Sequence, residues 1–357
     1  MSARLKIDGF EINDDGDCYV IAEIGNNHQG SLEKCKELFC AAKECGAHAV
    51  KLQKRDNLAL YTEEAYNKPY DHENSFGTTY GEHREFLEFG AYEYRELKQY
   101  AEELGITFFA TAFDLPSADF LAEIDMPAYK IASGDLRNLP LIKYVAQFQK
   151  PTIVSTGAGT LEDVQRVYDA VMPINNQLCF LQCTATYPAD FEELDLRVIE
   201  TYRELFPGAV AGLSSHDNGI AMAVAAYVLG ARVIEKHFTL NRAMKGTDHA
   251  FSLEPIGLRK MVRDLRRTRQ ALGDGRKRVH LNERSAYLKM GKKLVAARDL
   301  PVGTVLTAED ITMKSPGDGL APYELEKVIG KELTVALKTD ESINWAALGD
   351  RVESIAS

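Results

Sequence analysis

Two histidines stand 21 positions apart, His216 in GLSSHD and His237 in VIEKHF, each two residues after a polar residue on the same side of an alternating run: Ser214 and Glu235. Two lysines, Lys51 in AVKLQ and Lys130 in AYKIAS, lie in equally apolar surroundings, as does Glu23 in VIAEIG. Thr111, Ser133 and Ser155 add hydroxyls at matching places in their own runs. Imidazoles hold divalent ions, ammonium groups receive phosphate or carboxylate, and carboxylates move protons. Any one of these residues alone reads as a satisfied core or surface group. Together they do not, because burying each unpaired ion costs several kcal/mol and a fold without a ligand would avoid it.

The elements that must position them are legible as eight short β-branched runs between about residues 18 and 272: CYVIAEIG, AHAVKLQ, TFFATAF, AYKIAS, PTIVSTG, LCFLQCT, AVAGLSS and RVIEKHF. Amphipathic stretches such as SLEKCKELFCAAKECG separate them. Eight strand-helix units of this length predict an α/β fold, a (β/α)8 TIM barrel, over residues 1–272, with an open doubly wound sheet as the alternative. In a barrel the polar strand ends face one place, and C-terminal strand ends are where such enzymes keep their chemistry. His216 and His237, on adjacent strands seven and eight, then reach one ion and leave positions open for substrate. Glu23 on strand one and Asp248 in KGTDHAFS border that site. His28, His72, His83, His249 and His280 read as surface or loop residues. Residues 54–92 form a long insertion expected over the mouth. Residues 273–291 read as an exposed connector, and 292–357, with short strands and Pro/Gly turns, as a compact second domain.

A net charge of -11 argues against nucleic acid or an anionic membrane as partner, since both would repel the chain. No 18-residue apolar run and no signal-peptide layout occur, which reads as cytoplasmic. Six cysteines without any C-x-x-C read as reduced thiols. Neither a Walker loop nor a G-x-G-x-x-G follows a strand, so nucleotide binding has no signal.

AEIGNNHQGS, AVKLQK, YKIASGD, IVSTGAGT, GLSSHD, EKHFTL, KGTDHAFSLEP and KSPGDG together resemble the sialic acid synthase family over nearly the whole chain. The resemblance implies a TIM barrel joined to a small antifreeze-like (SAF) domain in a domain-swapped homodimer. It implies condensation of phosphoenolpyruvate with an N-acetylated hexosamine, N-acetylmannosamine or a relative, to a nine-carbon 2-keto acid and phosphate. By the same resemblance His216 and His237 hold a divalent ion, Mn2+ with Mg2+ or Co2+ as alternatives. Lys51, Thr111, Lys130, Ser133, Ser155 and Ser214 hold phosphoenolpyruvate. Glu23, Asn74, Phe113, Tyr187, Glu235 and Asp248 serve the sugar or the attacking water, with Glu23, Lys51, Lys130 and Asp248 counted as catalytic.

Three positions depart from the family pattern: Asp135 in SGD where many relatives have Glu, Ala185 where some have Asn, and Ser315 where an Arg is usual. They leave the acceptor open. Alternatives are a different or 6-phosphorylated hexosamine (legionaminate, pseudaminate or sialate 9-phosphate type), for which Arg84, Arg137 and Arg242 are the candidate receivers. Outside catalysis, a sugar-binding paralogue or an ice-binding small domain is the competing class.

Overall fold

The computed structural model describes residues 3–349; positions 350–357 of the expected second domain lie outside the described residues. The chain divides into two compact units, Met1–Gly273 and Asp274–Ser357.

The first unit opens with a hairpin, β1 (Leu5–Ile7) and β2 (Phe10–Ile12), turned by Asp8 and Gly9 with positive φ of 47° and 83°. Eight parallel strands follow: β3 (Tyr19–Glu23), β4 (Ala49–Lys54), β5 (Thr107–Ala112), β6 (Tyr129–Ile131), β7 (Thr152–Ser155), β8 (Leu178–Cys183), β9 (Val210–Ser215) and β10 (Val233–His237). They close into a barrel, with β10 hydrogen-bonded to both β9 and β3. Closure removes the open-sheet alternative. The strands are near-continuous apolar runs because helices cover the outer face and side chains fill the inner one. Ile21, Val50, Phe109, Ile131, Val154, Phe180, Leu213 and Ile234 all belong to this core.

The hairpin lies across the N-terminal ends of the strands. Leu5, Ile7 and Ile12 are buried in the barrel core. Phe10 packs on Tyr19 and His48, with ring centroids 5.2 and 4.8 Å apart, and Thr107 donates to Asp8 at 3.1 Å.

After β3 comes α1 (Leu32–Glu44), capped by the Ser31 hydroxyl. The insertion after β4 folds into three short helices, α2 (Asn57–Leu60), α3 (Glu63–Asn67) and α4 (Tyr80–Leu87). A reciprocal capping box between Thr79 and Glu82 starts α4.

The second unit has its own core, built on Leu294, Leu300, Leu306, Val328, Leu333 and Ile343. Antiparallel pairs Lys293–Ala296 with Ile311–Lys314 and Glu332–Leu333 with Leu348–Gly349 frame it. Within the stretch expected as a connector, residues Arg284–Met290 form a helix whose side chains are exposed.

Candidate active site

The C-terminal ends of the barrel strands surround a cavity of about 450 Å3. Register explains why the polar residues converge there. Glu23 pairs with Lys51 and His237 with Glu23 across the β10–β3–β4 seam, while Glu235 pairs with Ser214 and Thr111 with Lys130. These side chains point inward at the strands' last turn, where the apolar layers end.

Lys51 is the centre of a buried ion cluster. Its Nζ lies 2.6 Å from Glu23 Oε2 and 3.6 Å from Glu235 Oε1, and donates to Thr111 Oγ1 at 2.9 Å. Burial opposes its charge, but the two carboxylates outweigh this and raise its pKa. Burial raises the pKa of Glu23, against the pull of Lys51. Glu235 is held below the usual range, since Lys51 and Lys130 overcome the effect of its burial. Gln53 donates to Glu23 Oε1 at 2.7 Å. Gly25, at φ 51°, lets the backbone pass close: a Cβ there would come within 3.2–3.3 Å of Gln53, Glu23 and Asp248.

Lys130 is placed differently. It is 2% exposed, and its Nζ donates only to Ser155 Oγ at 2.6 Å and the Ile131 carbonyl at 2.9 Å. Among the described residues no carboxylate lies within 4.0 Å of it, and burial lowers its pKa. A buried ammonium with no carboxylate in direct contact has room for an anion from outside. Ser133 and Ser214 complete that side of the cavity; Ser133 Oγ accepts from the Gly157 amide at 3.0 Å.

The rings of His216 and His237 have centroids 5.4 Å apart. His216 Nδ1 lies 2.9 Å from the Thr184 carbonyl, so it carries the proton and leaves the Nε2 lone pair free. His237 Nδ1 is buried without a hydrogen-bond partner and lies 3.8 Å from Asp248 Oδ2. Burial pushes both imidazoles toward the neutral form, His216 down to about 4. Tyr187 and Phe251 pack against the pair, Tyr187 4.0 Å from the His216 ring and Phe251 4.9 Å from that of His237. Two neutral imidazoles with open lone pairs fit a divalent ion. Among the described residues no group of three or more His, Cys, Asp or Glu is arranged around one point for an ion.

Of the residues singled out from sequence, Glu23, Lys51, Thr111, Phe113, Lys130, Ser133, Ser155, Tyr187, Ser214, His216, Glu235, His237 and Asp248 all line this cavity. Asn74 does not: its Oδ1 accepts from the Gly246 amide at 2.9 Å, which ties the insertion to the loop carrying Asp248. Arg84 lines the mouth, whereas Arg137 pairs with Asp163 at 2.9 Å and Arg242 holds Asn218 and the Ala250 carbonyl. Ala185 lines the cavity, Asp135 accepts from Asn138 at 3.1 Å, and Ser315 Oγ in the second unit receives Lys292 at 2.6 Å. Sequence reasoning passed over Arg55, Asn26 and Cys183 as lining residues. Of the histidines expected at the surface or in loops, His28 and His249 do lie in loops and His83 lies on α4, but all three are buried by their neighbours; His28 stacks on Phe89 at 4.1 Å.

A larger cleft of about 660 Å3 opens at the opposite end of the barrel. Lys150 there is satisfied by Asp125 at 2.8 Å and Lys98 by the Ile124 carbonyl at 2.7 Å, so size does not mark the chemical site.

Comparison with known proteins agrees with this geometry. A NeuB family profile matches residues 38–277, and a SAF domain profile matches residues 293–349. The chain belongs to the NeuB family. It is 42% identical over 327 residues to the N-acetylneuraminate-9-phosphate synthase of Homo sapiens, covering 91% of each chain. It is 34% identical over 353 residues to the N,N'-diacetyllegionaminic acid synthase of Legionella pneumophila, covering 97% of this chain and 99% of that one. Among solved structures it is similar to the N-acetylneuraminic acid (sialic acid) synthetase of Leptospira borgpetersenii, crystallised with citrate. That likeness has TM-score 0.70 and 28% identity over 80% of this chain and 95% of the other. The fold is thus a TIM barrel with a C-terminal SAF domain, as in this family.

Proposed function

We propose that this chain condenses phosphoenolpyruvate with an open-chain N-acetylated hexosamine, giving a nine-carbon 2-keto sugar acid and phosphate. The observation that carries the reading is Lys130: a buried ammonium that donates to the Ser155 hydroxyl and, among the described residues, has no carboxylate within 4.0 Å, in the same cavity as two neutral imidazoles. Its relatives' printed activities, sialic and legionaminic acid synthesis, support the reaction class. Both a neutral hexosamine and one phosphorylated at C6 are compatible with that class.

In this reading C3 of phosphoenolpyruvate forms a bond to the aldehyde carbon, water adds at C2, and the C2–O bond to phosphate breaks. Lys130, Ser133, Ser155 and Ser214 bind and orient phosphoenolpyruvate; Lys51 and Thr111 counter the charge that develops at C2. Glu23, held by Lys51 and Gln53, handles the proton transfer at the aldehyde oxygen, and Asp248 or Glu235 takes a proton from the water. His216 and His237 would hold a divalent ion, manganese or else magnesium or cobalt, which supplies Lewis-acid polarisation of the aldehyde. The unpartnered His237 Nδ1 and the fixed His216 tautomer favour this.

We read the protein as a cytoplasmic homodimer whose small domain covers the partner's barrel mouth. Exposed Tyr323 and Trp345 in the second unit support a covering role, and six free thiols suit a reducing compartment. No helix of the described residues is long and apolar enough to cross a membrane.

The test is direct: purified protein, phosphoenolpyruvate, Mn2+ and a panel of N-acetylated hexosamines, with phosphate release and product mass followed. No phosphate release with any acceptor sinks the reading.

A further inference from the structure

Two guanidinium groups, those of Arg55 and Arg84, line the cavity. Arg55 follows β4 directly and is 6% exposed. Its Cζ lies 3.9 Å from the Phe113 ring centroid, and its Nη2 donates to Gln53 Oε1 at 2.5 Å. Arg84, on α4, sends Nε and Nη2 to a single acceptor, the Tyr80 phenol oxygen, at 3.0 and 2.8 Å. Among the described residues no carboxylate lies within 4.0 Å of either guanidinium. Glu88 is taken by Lys54 at 2.6 Å and by the Arg55 backbone amide at 3.1 Å. Burial and then the neighbouring Arg84 charge push the Arg55 guanidinium below its usual range. Both guanidiniums face one cavity, a setting that suits an anion.

The position of the pair says which anion. Gln53 links Arg55 to Glu23, with bonds of 2.5 and 2.7 Å, so the arginines stand on the side of the carboxylate assigned to the aldehyde. They do not share hydrogen bonds with Lys130 and Ser155, where phosphoenolpyruvate is placed. Arg84 comes from the insertion over the mouth, outward of the strand ends that carry the reacting groups. Each guanidinium has used at most two of its five N–H donors on side-chain partners, and a planar fork of donors matches a phosphate's oxygens.

We propose that Arg55 and Arg84 form a subsite for a phosphate monoester at the end of the acceptor sugar remote from its aldehyde. The inference rests on the synthase reading above and names its acceptor as a phosphorylated hexosamine.

The test compares kcat/KM of the full-length enzyme with Mn2+, phosphoenolpyruvate and either N-acetylmannosamine or its 6-phosphate, for the unmodified chain, Arg84→Gln, Arg84→Lys and Arg55→Gln. The unmodified chain should prefer the phosphate by about tenfold or more, the size of one charge-assisted contact. Arg84→Gln should lose about tenfold more with the phosphorylated acceptor than with the neutral one, and Arg84→Lys should recover part of that gap. Arg55→Gln should narrow the preference in the same sense; Arg84→Gln, at a less buried position, decides the matter if Arg55→Gln loses its fold. Equal losses on both acceptors, or a rise confined to KM for phosphoenolpyruvate, would overturn the subsite. A preference of the unmodified chain for the neutral sugar overturns it too, yet leaves the synthase reading standing. Absence of phosphate release with either sugar overturns the synthase reading itself.

Discussion

Lys51 and Glu23 meet at 2.6 Å between Nζ and Oε2 while both are almost wholly withdrawn from solvent. Removing one partner leaves the other charged and buried, which typically costs about 3–5 kcal/mol, whereas removing both together costs much less. Lys51→Met should therefore lower thermal stability markedly, and Lys51→Met with Glu23→Leu should recover much of it while remaining inactive. Calorimetric unfolding of the three chains checks this. A double variant no more stable than Lys51→Met would mean that the pair is not the source of the loss.

Lys130 has no such partner, so its loss should act on binding. Lys130→Ala should raise KM for phosphoenolpyruvate more than KM for the sugar, as initial-rate measurements with each substrate varied would reveal. Equal rises would make Lys130 a structural residue.

Chelation should abolish turnover, and Mn2+, Co2+ or Mg2+ should restore it. His216→Ala and His237→Ala should fold yet turn over at least about a hundredfold more slowly, and titration calorimetry should show weakened Mn2+ binding in both. Full activity after exhaustive metal removal contradicts this assignment.

Because each unit has its own core, the covering role proposed for the small domain is open to complementation. Full-length His237→Ala should have a dead barrel and keep the proposed cover; a chain truncated after about residue 284 should have a sound barrel and none. Co-expressed, they should give activity well above the sum of the two alone, provided native mass measurement finds mixed dimers. Additive activity in such dimers would end the swapped arrangement.

The barrel was legible because each strand carries enough apolar residues in a row to be read alone, and because polar ends such as Glu23 and His237 recur at one depth. Closure was not legible, since it depends on the β10–β3 pairing between distant segments. The helices of the insertion escaped the periodicity argument because α2 and α3 are only 4 and 5 residues long, too short to show a face. The hairpin at the N-terminus did leave a mark, Asp8-Gly9 between LKI and FEI, which is a turn signal that three-residue strands do little to reinforce. Arg55 was invisible for a chemical reason: a charged residue just past a strand normally points into water, and only the fold reveals Phe113 beneath it. Asn74 is the opposite case, a residue whose type suits a sugar and whose amide oxygen the fold places against the Gly246 amide.

The hairpin across the N-terminal ends of the strands has a kinetic meaning. With Leu5, Ile7 and Ile12 buried in the barrel core at the N-terminal ends of the strands, the catalytic cavity opens at their C-terminal ends. On the proposed reading, phosphoenolpyruvate against Lys130 and Ser155 lies inward of the sugar, so it should enter first and the inorganic phosphate should leave after the sugar acid. Initial-rate patterns should accordingly be those of a queue: compulsory order inward, with the last molecule to enter giving rise to the first to leave.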